Sequence, residues 1–349
     1  MSSDDEDAMD IERVTKVAKV EESAAPDTLP WVEKYRPKEL TDLISHHQIL
    51  DTITKLINGG KMPHFLFYGP PGTGKTSTIL AVARKLYGKN YSQMILELNA
   101  SDDRGINVVR DQIKDFANTR SMFTTGLKLV VLDEADAMTQ PAQAALRRVI
   151  EKYTKTTRFC LICNYLNKLT PAIQSRCTRF RFGPLMTDDV IDRVTQISKL
   201  EGVKITEAGL SAVVRLGQGD MRKCLNVLQS AHMGYDKIDE EEIYQCTGQP
   251  LPSDIQTIFD TLFNKGFKFA VDKISKLQST KGLALQDIIT ELHRKILKVE
   301  FSEEVKMILI DKLADIEHRL AAGTSEKLNL GALVGAFQLA REQISKESK

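Results

Sequence analysis

The sequence predicts a parallel α/β domain that is followed by two regions of helices. Three observations lead to this fold class. Between about residues 30 and 184, short apolar segments alternate with helix-like segments, which is typical of a parallel sheet with helices on both faces. A glycine-rich loop joins the first of these strands to a helix. From residue 185 onward, apolar residues recur at helical spacing, with no strong strand pattern.

The chain begins with an acidic segment. Residues 1–29 carry nine acidic and three basic residues, whereas the whole chain has a net charge of +1. Because this segment has few large apolar residues, we expect it to be disordered and not to be a targeting peptide. The remaining residues are mildly basic, which permits a nucleic-acid partner without requiring one. No apolar run approaches the roughly 18 residues of a membrane span, so we expect no membrane partner.

Five segments have the apolar composition of buried strands. They are Phe65–Tyr68, Met94–Leu98, Leu127–Leu132, Arg158–Cys163 and Thr178–Phe182. The fourth contains Cys160-x-x-Cys163, which has the spacing of half a zinc site. No second pair of cysteines exists among the five in the chain, so a buried strand is the favoured interpretation. The odd number of cysteines, without framework spacing, suits a reducing compartment.

A phosphate-binding loop follows the first strand. Residues 69–76 read Gly-Pro-Pro-Gly-Thr-Gly-Lys-Thr and match G-x-x-x-x-G-K-[ST]. Glycines allow the tight turn, and the freed N–H groups and the next helix N-terminus attract phosphate. Lys75 is expected to reach the β- and γ-phosphates, and the Thr76 hydroxyl to bind Mg²⁺. A surface turn is the alternative, but a strand before and a helix after favour a nucleotide site at Gly69, Pro70, Pro71, Gly72, Thr73, Gly74, Lys75, Thr76 and Ser77.

A second nucleotide signal is Leu129-Val-Val-Leu-Asp-Glu-Ala-Asp136. An apolar strand that ends in two carboxylates places them at the sheet edge beside the phosphate loop. We expect Asp133 to hold Mg²⁺, directly or through water, Glu134 to activate the attacking water, and Asp136 to be structural. Asp-Glu-Ala-Asp also occurs in a family of RNA helicases. Those proteins have a second ATPase-like domain, for which the helical remainder of this chain is too short.

Taken in order, these motifs resemble those of the AAA+ ATPases, and within them the small subunits of the clamp loader replication factor C. The resemblance runs from Leu29 to near the C-terminus. It implies a RecA-like AAA+ core at 30–184 after the tail at 1–29, and then a helical lid at 185–247. An all-helical collar for oligomerisation is implied at 250–349. Within the lid, Thr187 is expected to cap the first helix.

The resemblance also implies roles for single residues. The base pocket is implied to include Val32, Tyr35 and Arg36, which lie in the segment Leu29-Pro-Trp-Val-Glu-Lys-Tyr-Arg-Pro37. Ile44, just beyond this segment, is implied to belong to the same pocket. Asn99 is implied to hold Glu134 away from water until DNA arrives. Asn164 matches a γ-phosphate sensor, although a role in capping a turn is the alternative. Arg222, in Gly219-Asp-Met-Arg222, is implied to reach the nucleotide from the lid, and a surface arginine on a helix is the alternative.

Two further roles concern partner molecules. Arg176, in Ser175-Arg-Cys177, is implied to act as an arginine finger on the ATP of a neighbouring subunit. The helix that opens near residue 102 offers phosphate contacts for DNA at Arg104, Arg110 and Lys114, and its alternative is a solvated face. Met122 and Phe123 form either a clamp contact or part of the core.

The resemblance therefore implies an ATPase that uses ATP and Mg²⁺ within a nuclear hetero-pentamer of homologous subunits. The complex would open the sliding clamp and load it onto primer-template DNA. Two alternatives remain. A DNA-translocating AAA+ motor, such as a branch-migration helicase, is disfavoured by the Ser-Arg-Cys motif and the helical collar. A structural subunit that binds ATP without turnover is disfavoured by the intact Lys75 and Glu134.

Overall fold

A computed structural model describes residues 29–59, 62–100, 105–119 and 126–347, without the side chains of 105–110 and 347. The chain forms two compact units. The described residues up to Lys204 together with Val213–Gln229 form the first unit, and Ile205–Ala212 together with the described residues from Ser230 onward form the second. The predicted acidic tail lies outside the described residues. The predicted domain boundaries after residues 184 and 247 stay predictions.

The first unit contains a five-stranded parallel sheet. Its strands are β1 (Phe65–Tyr68), β2 (Ile95–Asn99), β3 (Lys128–Asp133), β4 (Thr157–Cys163) and β5 (Thr178–Arg181), in the order β2-β3-β4-β1-β5. All five predicted strands are confirmed, with ends that differ by at most one residue. Met94, for example, ends a short helix and does not begin β2.

The first unit also contains helices. They are α1 (Trp31–Lys34), α2 (His47–Asn58), α3 (Lys75–Tyr87), α4 (Tyr91–Met94), α5 (Gly105–Asn118), α6 (Gln140–Tyr153), α7 (Pro171–Gln174), α8 (Thr187–Leu200), α9 (Glu207–Gly217) and α10 (Met221–Gly234), of which α9 and α10 each contribute residues to both units. Alternate strand residues enter two separate apolar clusters. In β1, for example, Phe65 and Phe67 enter one cluster and Leu66 the other. This alternation follows from the pleat of a strand, and it explains the continuous apolar runs of a sheet covered on both faces.

The prediction that Thr187 caps α8 is wrong. Met186 occupies the N-cap position, and Thr187 is the first helical residue, with no side-chain capping bond at this end. Local sequence pattern rarely resolves helix ends to a single residue, because several neighbouring positions can satisfy the first free N–H groups.

The second unit is a bundle of helices, as predicted for the C-terminal part. Its helices are α11 (Glu240–Thr247), α12 (Pro252–Asn264), α13 (Phe267–Lys281), α14 (Leu285–Lys298), α15 (Glu303–Ala321) and α16 (Glu326–Glu347). One buried apolar cluster joins α12 to α16. Ser302 caps α15 by accepting a bond from the Val305 N–H, and Gly323 follows the helix with a φ of 81°. Within the described ranges, none of the helices has the length and apolarity that a membrane crossing needs.

The parallel sheet brings the polar ends of its strands to one edge. Asn99 and Asp133 are paired in register at the ends of β2 and β3, and Asn164 directly follows β4. The glycine-rich loop leaves β1 at the same edge, because all strands run in one direction. In α/β proteins ligands bind at this carboxyl edge, and a cavity of the first unit lies there.

Candidate nucleotide-binding site

A cavity of about 330 Å³ lies within the first unit. Most of the predicted site residues line it, namely Val32, Tyr35, Arg36, Ile44, Pro71, Gly72, Thr73, Gly74, Lys75, Thr76, Ser77, Asn99, Asp133, Glu134, Asn164 and Arg222. Four predicted residues that the structure describes do not line it: Gly69, Pro70, Lys114 and Arg176. The motifs that were scattered over nearly 200 positions therefore meet at one place.

The glycine-rich loop is shaped by backbone conformations that other residues rarely adopt. Gly74 has a φ of 90° and directly precedes Lys75, the first residue of α3. At Gly72 (φ 66°), a Cβ atom would lie 1.6 Å from Oδ1 of Asp220. The Met221 N–H also donates to the Gly72 carbonyl at 3.2 Å. Only glycine fits this contact, so the loop packs directly against the segment that leads into α10.

Lys75 is held at the base of the cavity by neutral oxygens. Its ammonium group donates to the carbonyls of Gly69 and Pro70 at 2.8 Å each, and to Oδ1 of Asn164 at 3.0 Å. Burial lowers the pKa of Lys75, and the nearby Arg222 lowers it further, whereas Asp133 raises it. Two cations that repel each other beside one cavity stabilise a multiply charged anion.

Oxygen atoms suitable for a divalent cation lie beside Lys75. The Thr76 hydroxyl donates to Oδ2 of Asp133 at 2.7 Å, and Oδ1 of Asp133 accepts the Glu134 N–H at 2.8 Å. A hydroxyl and a carboxylate are ligands that Mg²⁺ prefers in nucleotide sites. Glu134 has a left-handed backbone with a φ of 52°, and its side chain is exposed to the cavity. Its carboxylate is therefore accessible to water.

The turn after β4 is fixed by Asp136. Its carboxylate accepts the backbone N–H groups of Asn164 and Tyr165 at 3.3 Å and 3.1 Å. The predicted structural role of Asp136 is confirmed, and the turn orients Asn164 toward Lys75. In contrast, the cysteines of β4 are buried, and burial raises the pKa of Cys163 to about 12.

One part of the cavity wall comes from residues that the sequence did not single out. Arg193 and Ile197 of α8, and Leu225 of α10, line it together with the predicted Val32 and Tyr35. Ile197 belongs to an amphipathic helix, in which a residue that faces a pocket has the same periodicity as one that faces a core. Periodicity therefore cannot separate the two. Gln143, elsewhere in the first unit, is another polar residue that the sequence did not single out. It is buried and bonds to Met138, Lys168 and Thr170.

Arg176 lies on the surface and outside this cavity. Its guanidinium donates to the Ala172 carbonyl at 2.5 Å and forms an ion pair with Glu151 of α6 at 2.5 Å. Among the predicted DNA contacts, Lys114 is half-buried and pairs with Asp111 at 2.7 Å. Arg104, Met122 and Phe123 lie outside the described residues, as does the side chain of Arg110.

Two family models match separate parts of the chain. The model of the "ATPase family associated with various cellular activities (AAA)" matches residues 65–185, and that of the "Replication factor C C-terminal domain" matches residues 250–336. Human "Replication factor C subunit 5" is 57% identical over 321 residues, which cover 92% of this chain and 94% of that protein. "Replication factor C subunit 3" of Saccharomyces cerevisiae is 49% identical over 327 residues and covers 92% of this chain and 96% of that protein.

The chain belongs to the replication factor C family. Membership confirms the predicted AAA+ fold with its C-terminal helical region, the ATPase activity and the function as a clamp-loader subunit. It also implies that this replication factor C chain works within a hetero-oligomer and binds nucleotide. A solved structure of a RuvB variant from Thermotoga maritima has a TM-score of 0.50 and 14% identity, covering 74% of this chain and 91% of that one. This similarity supports the fold alone.

Proposed function

We propose that this chain binds ATP with Mg²⁺ in the cavity of the first unit and hydrolyses it within a hetero-pentamer of homologous subunits. The complex opens a ring-shaped sliding clamp and loads it onto primer-template DNA in the nucleus. One observation carries the proposal for the nucleotide. Lys75, the Thr76–Asp133 pair and Asn164 form one connected polar cluster beside a cavity lined elsewhere by Val32, Tyr35 and Ile197. A polyphosphate and a purine base match these two kinds of surface.

The residues divide the work of phosphoryl transfer. Lys75 and Arg222 stabilise phosphate charge, and Asn164 orients Lys75 while it senses the γ-phosphate. Thr76 and Asp133 would hold Mg²⁺, which when bound neutralises negative charge on the phosphates. Glu134 accepts a proton from the attacking water. Asn99, at the end of the neighbouring strand, controls the access of Glu134 to that water.

Contacts with partners use the surface outside the cavity. Arg176 stabilises the transition state at the nucleotide of an adjacent subunit, which agrees with its exposure and its absence from the cavity wall of its own chain. Arg104, Arg110 and Lys114 contact the phosphates of DNA. The core at 30–184, the lid at 185–247 and the collar at 250–349 are the domains that we assign to these tasks.

Two substitutions test the nucleotide chemistry in the reconstituted complex. Lys75→Ala removes charged hydrogen bonds to phosphate and is expected to weaken ATP binding at this site about 10- to 100-fold. Glu134→Gln keeps the shape of the side chain but cannot accept a proton. It should change ATP affinity less than about two-fold and slow single-turnover hydrolysis by roughly 10²–10⁴-fold.

A lysine on the surface of the same helix provides the control. Lys85→Ala should leave both binding and hydrolysis unchanged, because Lys85 is exposed and does not line the cavity. Equal loss of ATP affinity in Lys75→Ala and Glu134→Gln would contradict the separate roles. Normal ATP binding by Lys75→Ala would contradict the site itself.

A further inference from the structure

The segment Trp31–Pro37, which we call the strap, is bonded to two helices that line the cavity, α8 and α10. Glu201, the residue that follows α8 as its C-cap, receives two bonds from the strap. The Tyr35 hydroxyl donates to its carboxylate at 2.5 Å, and the Lys34 ammonium lies 2.7 Å from the same oxygen. Because the side chain of Glu201 is only 16% exposed, these bonds are partly shielded from water. Charged hydrogen bonds of this kind contribute more than exposed ion pairs.

Two backbone bonds add to this attachment. Gln229 of α10 accepts the Trp31 N–H at 3.0 Å, and a guanidinium nitrogen of Arg193 in α8 donates to the Tyr35 carbonyl at 3.4 Å. Trp31 is buried, with 7% of its surface exposed. The strap is thus held by α8 and α10 along most of its length.

One face of α8 both holds the strap and lines the cavity. Arg193, Ile197 and Glu201 are spaced at i, i+4 and i+8, so they lie on the same side of the helix. Arg193 and Ile197 line the cavity, and so do Val32 and Tyr35 of the strap. The bonds at Glu201 therefore fix the position of the strap relative to α8, and these two segments form two walls of the cavity. The phosphate loop does not depend on them, because its own bonds hold Lys75 and Thr76.

We propose that Glu201 is a positioning residue for the nucleobase, which holds Tyr35 and Lys34 so that the strap and α8 form two fixed walls around a purine. This inference rests on the proposed nucleotide site. If it is correct, Glu201 contributes to the affinity for the base and does not contribute to the affinity for the phosphates. Glu201 itself does not line the cavity.

The test compares ATP with inorganic triphosphate, both with Mg²⁺, on the full chain. Glu201→Ala should weaken ATP binding about 10-fold, the effect of losing one or two charged hydrogen bonds. Its affinity for inorganic triphosphate should change less than two-fold. Glu201→Gln, which keeps an acceptor for Tyr35 but loses the charge opposite Lys34, should have a smaller effect. Tyr35→Phe removes one hydroxyl and should weaken ATP binding alone, even if Glu201→Ala fails to fold.

Trp31 supplies an independent readout, because it is the single tryptophan of the chain and lies in the strap. Its emission should shift to longer wavelength in Glu201→Ala, since loosening the strap exposes the indole to water. Asp192→Asn, an exposed carboxylate on the same helix, is the matched control and should change neither binding nor emission.

Two results would overturn the inference. One is an equal loss of affinity for ATP and triphosphate in Glu201→Ala and Tyr35→Phe, which would indicate general damage. The other is unchanged ATP affinity in both variants. Failure of the wild-type chain to bind ATP would instead reject the proposed function, and with it this inference. Wild-type affinities that are equal for ATP and triphosphate would reject the inference alone, because no base contribution would exist to be positioned.

Discussion

His64, just before β1, is a buried histidine. Its Nδ1 accepts the backbone N–H of Phe159 at 3.2 Å, and only 7% of the residue is exposed. Burial lowers the pKa of His64 to about 4, with a smaller contribution from the charge of the neighbouring Arg158. An acceptor at Nδ1 requires the neutral ring, so the folded first unit contains His64 in its uncharged form near neutral pH.

This single residue predicts a pH dependence of stability. An unfolded histidine has a pKa of about 6.5. Between about pH 6.5 and 4 the unfolded chain therefore binds one more proton than the folded chain, and stability falls as pH falls through that window. The loss approaches about 1.4 kcal/mol per pH unit, or roughly 2–3 kcal/mol in total. His64→Gln should remove this part of the slope.

The measurement is urea unfolding at several pH values, followed by Trp31 fluorescence, which reports on the same unit. His47→Gln, at an exposed position that begins α2, is the control and should keep the wild-type slope. Parallel pH profiles for His64→Gln and the wild type would show that His64 does not titrate in this way.

At the scale of elements, α5 is attached to the sheet through its C-terminal end. The Lys128 ammonium, at the start of β3, donates to the carbonyls of Phe116 at 2.6 Å and of Thr119, and lies 4.8 Å from the centre of the Phe116 ring. A cation at this end also complements the helix dipole. β3 therefore begins with Lys128, which binds the C-terminal end of α5, and ends with Asp133.

The predicted contact between α5 and DNA can be tested by substituting two of its basic residues in turn. Arg110→Ala should weaken binding of the assembled complex to primed DNA by a similar factor for any sequence. It should reduce the slope of log K against log salt by about one unit, because about one phosphate contact is lost. Lys114→Ala should reduce the slope less, because Lys114 already pairs with Asp111 at 2.7 Å.

Competition titrations over a range of salt concentrations measure both slopes. A loss that depends on DNA sequence would contradict a phosphate contact at Arg110. So would an unchanged slope together with unchanged affinity, and α5 would then present only a solvated face.

At the scale of the whole molecule, Arg176 distinguishes an active site shared between subunits from a self-contained one. In this chain the guanidinium is occupied by Glu151 and by the Ala172 carbonyl, on the surface of the first unit. It does not line the cavity that contains Lys75. To contact the phosphate of a neighbouring subunit, the Arg176 guanidinium must exchange its ion pair with Glu151 for a bond to that phosphate.

We therefore expect Arg176→Ala to leave ATP binding at the Lys75 site of this chain unchanged. It should slow hydrolysis at the adjacent subunit by about 10³–10⁵-fold, the usual contribution of an arginine finger. Arg176→Lys should restore little, because lysine lacks the planar fork of arginine. The test is to reconstitute the complex with the substitution in this chain alone and to measure ATP turnover separately at the site of this chain and at that of its neighbour. Loss of turnover at the Lys75 site of the mutated chain, with a normal neighbour, would contradict action between subunits.

The sequence alone determined the features that depend on neighbouring residues. Strand patterns, the glycine-rich loop and the Asp133–Glu134 pair are local signals, because pleat, turn conformation and strand polarity act over a few residues. They identified five strands, the helical C-terminal part and most of the residues around one cavity. The order of specific motifs along the chain also indicates the family. The roles assigned to Asn99, Arg110 and Arg222 stay predictions.

Only the tertiary structure decided which distant residues meet. Glu201 bonds to Tyr35 across 166 positions, and an acidic residue at the end of an amphipathic helix gives no signal of that partner. Arg193 and Leu225 line the cavity because α8 and α10 bring them there, and the ion pair of Arg176 depends on how α6 packs. Long-range contacts depend on packing and on the order of strands in the sheet, and the periodicity of a single segment carries neither.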